Sequence, residues 1–439
     1  MRLKFVHGVV LVGAFLFLVT GFAVLHSFQG ENAPQQEAAE NYTIPIGVTT
    51  MDGPGNYHAL IEHYIEPEVR ALCEQREAPF TFEFIIRENK WTDALPSGKF
   101  DPNDSQALLA RARAADEIAY NITLELIDLG VKAVVGHPLN YQNVYCYQLM
   151  RDAGMTQIST NDAAEITHIE GDRLFRLVPP LSKEFSVIAK AMLSRGFDRC
   201  LIVGPDLWEG LSVFEDEYTS GGGEVLSWFG GSMREETLLR DSDALPEVIR
   251  ALEAEADNAT LMYGADRVAV MMLYYSNPHL VREASKQPFL SGLSWFGWSA
   301  SLRSEEMLAL AGAEASKLGL VCPVLGVHRS DSTSPVLDQY LEEFGEPMSP
   351  VMAATIDASF IMVEAIIEVN GTDPLLLSEA IPSIADEFVG LTGRCALNEY
   401  GDKVISDYEL WGYAVESGAP KVVYLGRYDS AEDEVVWER

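Results

Sequence analysis

The residue pattern closest to a metal or catalytic site is a short His/Glu cluster. His58 and Glu62 are four residues apart and share one face of a predicted helix, whereas His63 is rotated by about 100° from that face. Because a metal ion needs ligands that converge on one point, this spacing favours a surface helix with a local His–Glu contact over a metal site. We predict no metal and no cofactor for the chain.

Two carboxylates, Asp206 and Glu209, follow a predicted strand that ends at Val203. Such a pair could serve as general acid and base in a hydrolase, although loop carboxylates more commonly cap helices or face solvent. The chain lacks the GxSxG, GxxxxGK[ST] and HExxH patterns, and it has no GxGxxG after a strand. Its glycine run at 221–223 stands after a helix and before a strand, where glycines end helices. We therefore expect a protein that is not an enzyme, with an extracellular hydrolase as the remote alternative.

These residues lie in a chain where short apolar strands alternate with longer amphipathic helices. The predicted strands are 44–49, 80–86, 131–135, 156–159, 200–203, 224–229, 260–263 and 288–291. Such alternation predicts parallel sheets covered by helices on both faces. Binding sites in these sheets lie past the carboxyl ends of the strands, so the loops that enter the helices should carry function.

The alternation is interrupted at Pro179-Pro180, which divides it into two units. A helical portion from 330 to 387 and a β-rich tail complete the chain. We expect the following organisation: a signal or membrane anchor at 1–29, a tether at 30–42, lobe 1 at 43–178 and 326–400, and lobe 2 at 179–325 and 401–439.

The first 29 residues have the pattern of an export segment. Arg2 and Lys4 precede an apolar run from Val9 to Leu25, a length that favours an uncleaved anchor and leaves a cleaved signal open. Five Asn-x-Ser/Thr acceptors agree with an extracytoplasmic location, at Asn41, Asn103, Asn121, Asn258 and Asn370. An oxidising exterior would permit one or two disulfides among the five cysteines, which show no metal-ligand spacing. Cys322 and Cys395 both fall near the expected hinge, so a bridge between them is one option.

The chain is strongly acidic. Its 439 residues carry a formal net charge of −35, which argues against nucleic acid or an anionic membrane surface as a partner. Because 48% of the residues are hydrophobic, a disordered acidic chain is excluded as well. The negative far field would also repel an anionic solute, which favours a neutral, zwitterionic or cationic ligand.

Several segments, in their order along the chain, resemble the type I periplasmic-binding-protein superfamily. The resemblance is greatest to the branched-chain amino-acid (Leu/Ile/Val) substrate-binding proteins of ABC importers. It is carried by Gly136-His137-Pro138-Leu139-Asn140, by Ile158-Ser159-Thr160-Asn161 and by the segments 174–179, 198–203, 222–225, 353–365 and 391–402. It implies two doubly wound α/β lobes joined by three hinge strands, which close on a small molecule held between them.

The resemblance also implies which residues hold the ligand. In lobe 1 these are Asn140 and Tyr141, then Ser159, Thr160, Asn161 and Asp162, with Tyr57 after the first strand. In lobe 2 they are Tyr263 and Asp266, expected after the strand at 260–263, and the loop that contains Trp298. Trp208, Trp295 and Trp298 would supply stacking surfaces for a ring, an alkyl chain or a quaternary ammonium. Packing within a lobe is the alternative role for each tryptophan.

The sequence departs from the amino-acid-binding pattern at some of these positions. Asn140 replaces the usual Ser, the usual Ala-x-Thr aligns with Asn161-Asp162-Ala163, and Trp298 or Ser299 replaces the usual Glu. The implied function is an extracytoplasmic solute-binding protein that delivers a small polar or amphipathic ligand, such as an amino acid or amide, to ABC permease subunits. A ligand-sensing surface receptor subunit without transport is the alternative.

Overall fold

A computed structural model describes the residues 42–51, 57–89, 105–138, 140–160, 172–204, 210–230, 244–274, 277–302, 305–404 and 406–438. The predicted anchor at 1–29 lies outside these residues.

The first sheet has five parallel strands in the order β2-β1-β3-β4-β5. They are β1 (Tyr42–Met51), β2 (Phe80–Asn89), β3 (Ala133–Val135), β4 (Thr156–Ser159) and β5 (Leu174–Arg176). Their residues are mostly buried, as expected where helices cover both faces of a parallel sheet.

The second sheet has eight strands in the order β15-β14-β13-β10-β9-β8-β6-β7. Its parallel part is β6 (Arg199–Val203), β7 (Glu224–Phe229), β8 (Val268–Met272), β9 (Ser294–Gly297) and β10 (Val321–Leu325). After a small hairpin, β11 (Val389–Gly390) and β12 (Gly393–Arg394), the chain returns as β13 (Tyr408–Glu416), β14 (Ala419–Asp429) and β15 (Glu434–Trp437). Strand β13 runs antiparallel to β10, and the short connections from β13 to β14 and from β14 to β15 permit only antiparallel pairing, so the predicted parallel sheet has an antiparallel edge.

Helices cover both sheets. In chain order they are α1 (Tyr57–Leu60), a π-helical turn (Ile61–Ile65), α2 (Glu66–Gln75), α3 (Ser105–Asp128), α4 (Asn140–Asp152), α5 (Leu181–Ser194), α6 (Leu211–Ser220), α7 (Ala244–Tyr263), α8 (Pro278–Ala284), a 3-10 turn (Leu290–Gly292), α9 (Ser299–Leu302), α10 (Glu305–Lys317), α11 (Ser334–Phe344), α12 (Pro350–Val369) and α13 (Pro374–Glu387). One face of the first sheet packs on α1, α2, α11, α12 and α13, and the other packs on α3 and α4. Within the described chain, α12 alone is long and apolar enough to cross a membrane, and it is buried in the core of the first lobe.

The chain passes between the two sheets three times, after β5, after β10 and before β13. The crossings contact one another: Arg176 N–H donates to Gly401 O, and Gly326 N–H donates to Asp407 O 3.0 Å away. The predicted pair of α/β lobes joined by three strands is therefore present.

Two predicted strands are wrong. Residues 260–263 form the last turn of α7, and the strand beyond them is β8. Residues 288–291 precede β9 and include the start of a 3-10 turn.

The five cysteines, at positions 73, 146, 200, 322 and 395, are all buried thiols. The predicted option of a Cys322–Cys395 bridge is therefore wrong for this structure. Each thiol lies within or against an apolar core, where burial makes it behave as a small hydrophobic side chain.

Candidate functional site

Two of the predicted lobe 1 loops meet at the carboxyl edge of the first sheet. Ser159 ends β4 and Thr160 follows it, while Asn140 and Tyr141 are the first residues of α4, beyond β3. Because β3 and β4 are parallel neighbours, these two positions lie side by side. The other predicted lobe 1 residues of these loops, Asn161 and Asp162, lie outside the described residues.

A buried polar network supports this edge. Asn143 Nδ2 donates to Ser159 Oγ at 2.8 Å, and Asn143 Oδ1 accepts from Gln157 Nε2 at 2.6 Å and from His137 N–H at 3.2 Å. Ser159 Oγ in turn donates to His137 O at 3.1 Å. The Ser159 hydroxyl is thus engaged inside the protein, where it fixes the strand end.

The network residues Asn143 and Gln157 were not predicted as functional. One signal was available: Gln157 is an amide inside a short buried strand, and such a group must find partners. The imidazole of His137 lies outside this network, with Nε2 3.0 Å from Thr123 Oγ1, and burial lowers its pKa to about 4, so it is neutral at physiological pH.

Tyr57 is the first residue of α1 and is buried in the core beside the first sheet. Burial, assisted by the neighbouring Tyr340, raises the pKa of its hydroxyl to about 12. It therefore stays protonated at neutral pH, and most of its ring packs against the lobe.

The carboxyl edge of the second sheet carries Trp298, which follows β9 and is 5% exposed. Its indole N–H donates to Tyr274 O, 3.2 Å away, beyond the neighbouring strand β8. Ser299 begins α9, and both its backbone N–H and its hydroxyl donate to the buried carboxylate of Glu184 on α5. Glu184 was not predicted, because only the folded chain brings α5 to this strand end.

Tyr263 and Asp266 are at the opposite edge of the second sheet. Since 260–263 is helical, both residues precede β8 and lie at its amino end. The Arg199 guanidinium lies 4.8 Å from the centroid of the Tyr263 ring, and the neighbouring Arg267 pairs with Asp198 just before β6. The expectation that Tyr263 and Asp266 hold ligand loses its basis, because sites in such sheets lie at the carboxyl ends.

The remaining candidates do not converge. His63 Nδ1 lies 2.6 Å from Glu343 Oε1 on α11, and His58 Nε2 lies 4.0 Å from Glu88 Oε1 on β2. Trp208, Asp206 and Glu209 lie outside the described residues, and Trp295 is buried in β9 as a packing residue. Within the described ranges, no group of three His, Cys, Asp or Glu side chains could hold a metal ion.

Solved structures share this fold. An ABC-transporter substrate-binding protein from Desulfitobacterium hafniense in complex with Leu has a TM-score of 0.60 at 16% identity and covers 87% of this chain and 100% of its own. A leucine-binding protein from Thermotoga maritima has a TM-score of 0.55 at 16% identity, covering 89% of this chain and 99% of its own. A solute-binding protein of an R. palustris ABC transporter in complex with benzoate has a TM-score of 0.54 at 15% identity. It covers 90% of this chain and 98% of its own.

No protein-family model and no curated protein matches the chain by sequence. The structural likeness at this low identity confirms the predicted fold, that of a two-lobed substrate-binding protein.

Proposed function

We propose that the protein is an extracytoplasmic solute-binding protein that captures a small molecule between its lobes and delivers it to an ABC permease. The observation that carries this proposal is the shared fold with substrate-binding proteins over almost their whole length. The N-terminal apolar segment would hold the protein at the outer face of the membrane.

In this proposal the lobes divide at the three crossings, with boundaries near 178, 325 and 400. The lobe 1 half of the site is the end of β4 and the start of α4, around Ser159 and Asn140. The lobe 2 half is the end of β9 with Trp298 and Ser299, held by Glu184. Ligand binding would select a closed arrangement of the lobes from an open ensemble.

The ligand is a small polar or amphipathic solute. Two of the solved relatives are complexes with Leu and with benzoate, so both compounds belong in the first panel, together with other amino acids, amides, urea and betaine. The excess of acidic groups disfavours a multiply anionic solute, since a negative far field slows its approach.

Thermal unfolding of the refolded, ligand-free protein tests the proposal. A ligand that binds only the folded state raises the melting temperature by mass action, and we expect this for one class in the panel. Trp298→Ala should weaken the binding of that ligand at least tenfold, as measured by calorimetry. Trp411→Ala is the matched control, because Trp411 lies in β13 with its indole N–H on Glu409. No shift with any member at millimolar concentration would contradict the proposed function.

A further inference from the structure

Glu184 is a buried carboxylate that joins helix α5 to the loop after β9. It lies in the first turn of α5, is 6% exposed, and accepts two hydrogens from Ser299: the backbone N–H, and the hydroxyl at 3.0 Å. Both hydrogen bonds have a charged acceptor, which makes them stronger than bonds between neutral groups. The contact therefore holds Ser299 firmly on α5.

The residues that Glu184 holds stand at the carboxyl end of β9. Trp298 precedes Ser299 and is tied a second time, because its indole N–H donates to Tyr274 O beyond β8. Two elements, α5 and the segment after β8, thus fix Trp298 and Ser299 together. Since ligands of such sheets bind past the carboxyl ends of the strands, this is the edge at which lobe 2 would meet a solute.

The first turn of α5 also supports a second segment at the same edge. Gly210 precedes α6 with φ of +92°, and a β-carbon there would lie 2.8 Å from Ser182 Cα and 3.2 Å from the Phe185 ring. A glycine is therefore needed for α6 to begin this close to α5. The turn contacts the start of the helix that follows β6 and the start of the helix that follows β9.

Helix α5 starts directly after the first crossing between the lobes. Pro179 and Pro180 lead into it, and Pro180 is its N-cap residue, with φ of −62° and ψ of 151°. Because a proline ring fixes φ, two consecutive prolines make this connection stiff. Before them, Leu177 N–H donates to Ser159 O at 3.0 Å, in the lobe 1 half of the proposed site. The chain from Leu177 to Glu184 thus reaches from the end of β4 to the end of β9.

A second carboxylate makes a comparable contact away from the site. Glu253 on α7 accepts Phe289 N–H and Leu290 N–H, both at 3.0 Å. These two residues precede β9, so Glu253 supports the amino end of the strand whose carboxyl end Glu184 supports. If Glu184 serves only the packing of lobe 2, changes at the two glutamates should have the same effect on a ligand.

We propose that Glu184 is a positioning residue for ligand binding, which holds Trp298 and Ser299 in the arrangement that the captured solute requires. This inference rests on the proposed function, since it gives a role in solute capture to a residue that acts through Ser299. The role depends on the reach of the side chain and not on its charge. A glutamine keeps both contacts, because its carbonyl oxygen can accept the Ser299 N–H while its amide donates to Ser299 Oγ. An aspartate keeps the charge and is too short by one methylene group.

Hydrogen exchange of the ligand-free full chain, followed by mass spectrometry, tests the contact itself. In Glu184→Asp the Ser299 amide loses its acceptor, so we expect its exchange to be at least fivefold faster than in the wild type. Glu184→Gln should stay within twofold. The matched control Glu253→Asp should speed exchange at Phe289 and Leu290 and leave Ser299 unchanged. Amides of β8 should stay protected in every variant, which shows that lobe 2 is folded. Unchanged exchange of Ser299 in Glu184→Asp would overturn the inference.

Calorimetry with leucine, benzoate, acetamide and betaine then tests the role in binding. For a compound that binds the wild type, we expect at least fivefold weaker binding to Glu184→Asp, at most twofold weaker binding to Glu184→Gln, and no change in Glu253→Asp. Equal weakening in Glu184→Asp and Glu253→Asp would overturn the inference, since the effect would then be a general loss of packing. Weakening in Glu184→Gln alone would also overturn it, because the charge would then be what the solute requires. In both cases the proposed function would stand. Failure of every compound to bind the wild type would overturn the proposed function and with it the role in binding, whereas the exchange of Ser299 would still decide whether Glu184 holds the loop.

Discussion

Arg176 and Asp402 form a buried ion pair where the first and third crossings between the lobes meet. Arg176 Nη1 lies 2.7 Å from Asp402 Oδ1, and the two side chains are 1% and 0% exposed. The backbones of the two segments are also joined, since Lys403 N–H donates to Arg176 O at 3.0 Å. The pair fixes the register of the two crossings.

Asp402→Ala should destabilise the protein strongly. It leaves the Arg176 charge buried without its carboxylate, which typically costs about 3–5 kcal/mol. Urea unfolding measures the loss. The control is Asp386→Ala, which breaks the exposed pair with Arg394 and should cost at most about 1 kcal/mol. The double variant Arg176→Met with Asp402→Leu should lose less unfolding free energy than Asp402→Ala alone, because no charge is left buried. Equal losses in Asp402→Ala and Asp386→Ala would contradict the prediction.

A second pair, His328 and Asp407, joins the second and third crossings and should make stability depend on pH. His328 Nδ1 lies 3.2 Å from Asp407 Oδ2, and this contact raises the pKa of His328 despite its partial burial. Burial alone would raise the pKa of Asp407, but hydrogen bonds from His328 and Ser430 lower it to about 2. Lys403 and Asp357 are the other charged groups that act on His328.

The direction of the pH dependence follows from these two pKa shifts. A histidine with a raised pKa contributes stability below its unfolded value of about 6.5 and loses it as pH rises through the folded pKa. Asp407, whose pKa is lowered, contributes stability above its unfolded pKa of about 3.9 and loses this contribution as pH falls towards 2. The difference in unfolding free energy between wild type and His328→Gln should therefore be largest near pH 5–6 and shrink towards pH 8. His58→Gln is the control, because His58 is 64% exposed, and a constant difference across this range would rule the prediction out.

The fold was predictable because alternating strands and helices and the ordered motifs both point to two α/β lobes. The errors have local causes. Residues 260–263 read as a short strand, yet they end α7, with Leu261 and Met262 78% and 72% exposed. A short apolar run cannot be assigned to strand or helix by periodicity alone. Because of that error, Tyr263 and Asp266 were predicted at the carboxyl edge of the second sheet, whereas they lie at its amino edge.

The site was predictable only in part. Ser159 and Thr160 stand at a strand end, as predicted, because the end of a buried strand in a parallel sheet is visible in sequence. Glu184 could not be found this way, since its partner Ser299 is 115 residues away.

Gly204→Ala should destabilise the second lobe. Gly204 follows β6 with φ of +149°, and a β-carbon there would collide with Leu273 Cβ and lie 3.0 Å from Leu273 Cα. Because the obstruction includes backbone, the strand ends must shift, at about 2–4 kcal/mol. Gly222→Ala is the control: its φ is +89° but the space is open, so about 1–2 kcal/mol of conformational strain is expected. Urea unfolding should rank the two variants in this order, and the reverse order would contradict the packing described.

The cysteines should be unreactive in the native protein and all five reactive after unfolding. Burial is the main cause that raises every thiol pKa, to about 11 for Cys146 and Cys395, so little thiolate exists at pH 8. Titration with a thiol-specific chromogenic reagent at pH 8 should release almost no product until denaturant is added, and then five equivalents per chain. Prior treatment with a phosphine reductant should change neither number. Three equivalents in denaturant, rising to five after reduction, would show that one disulfide is present. That result would contradict the finding that all five thiols, including those of Cys322 and Cys395, are free.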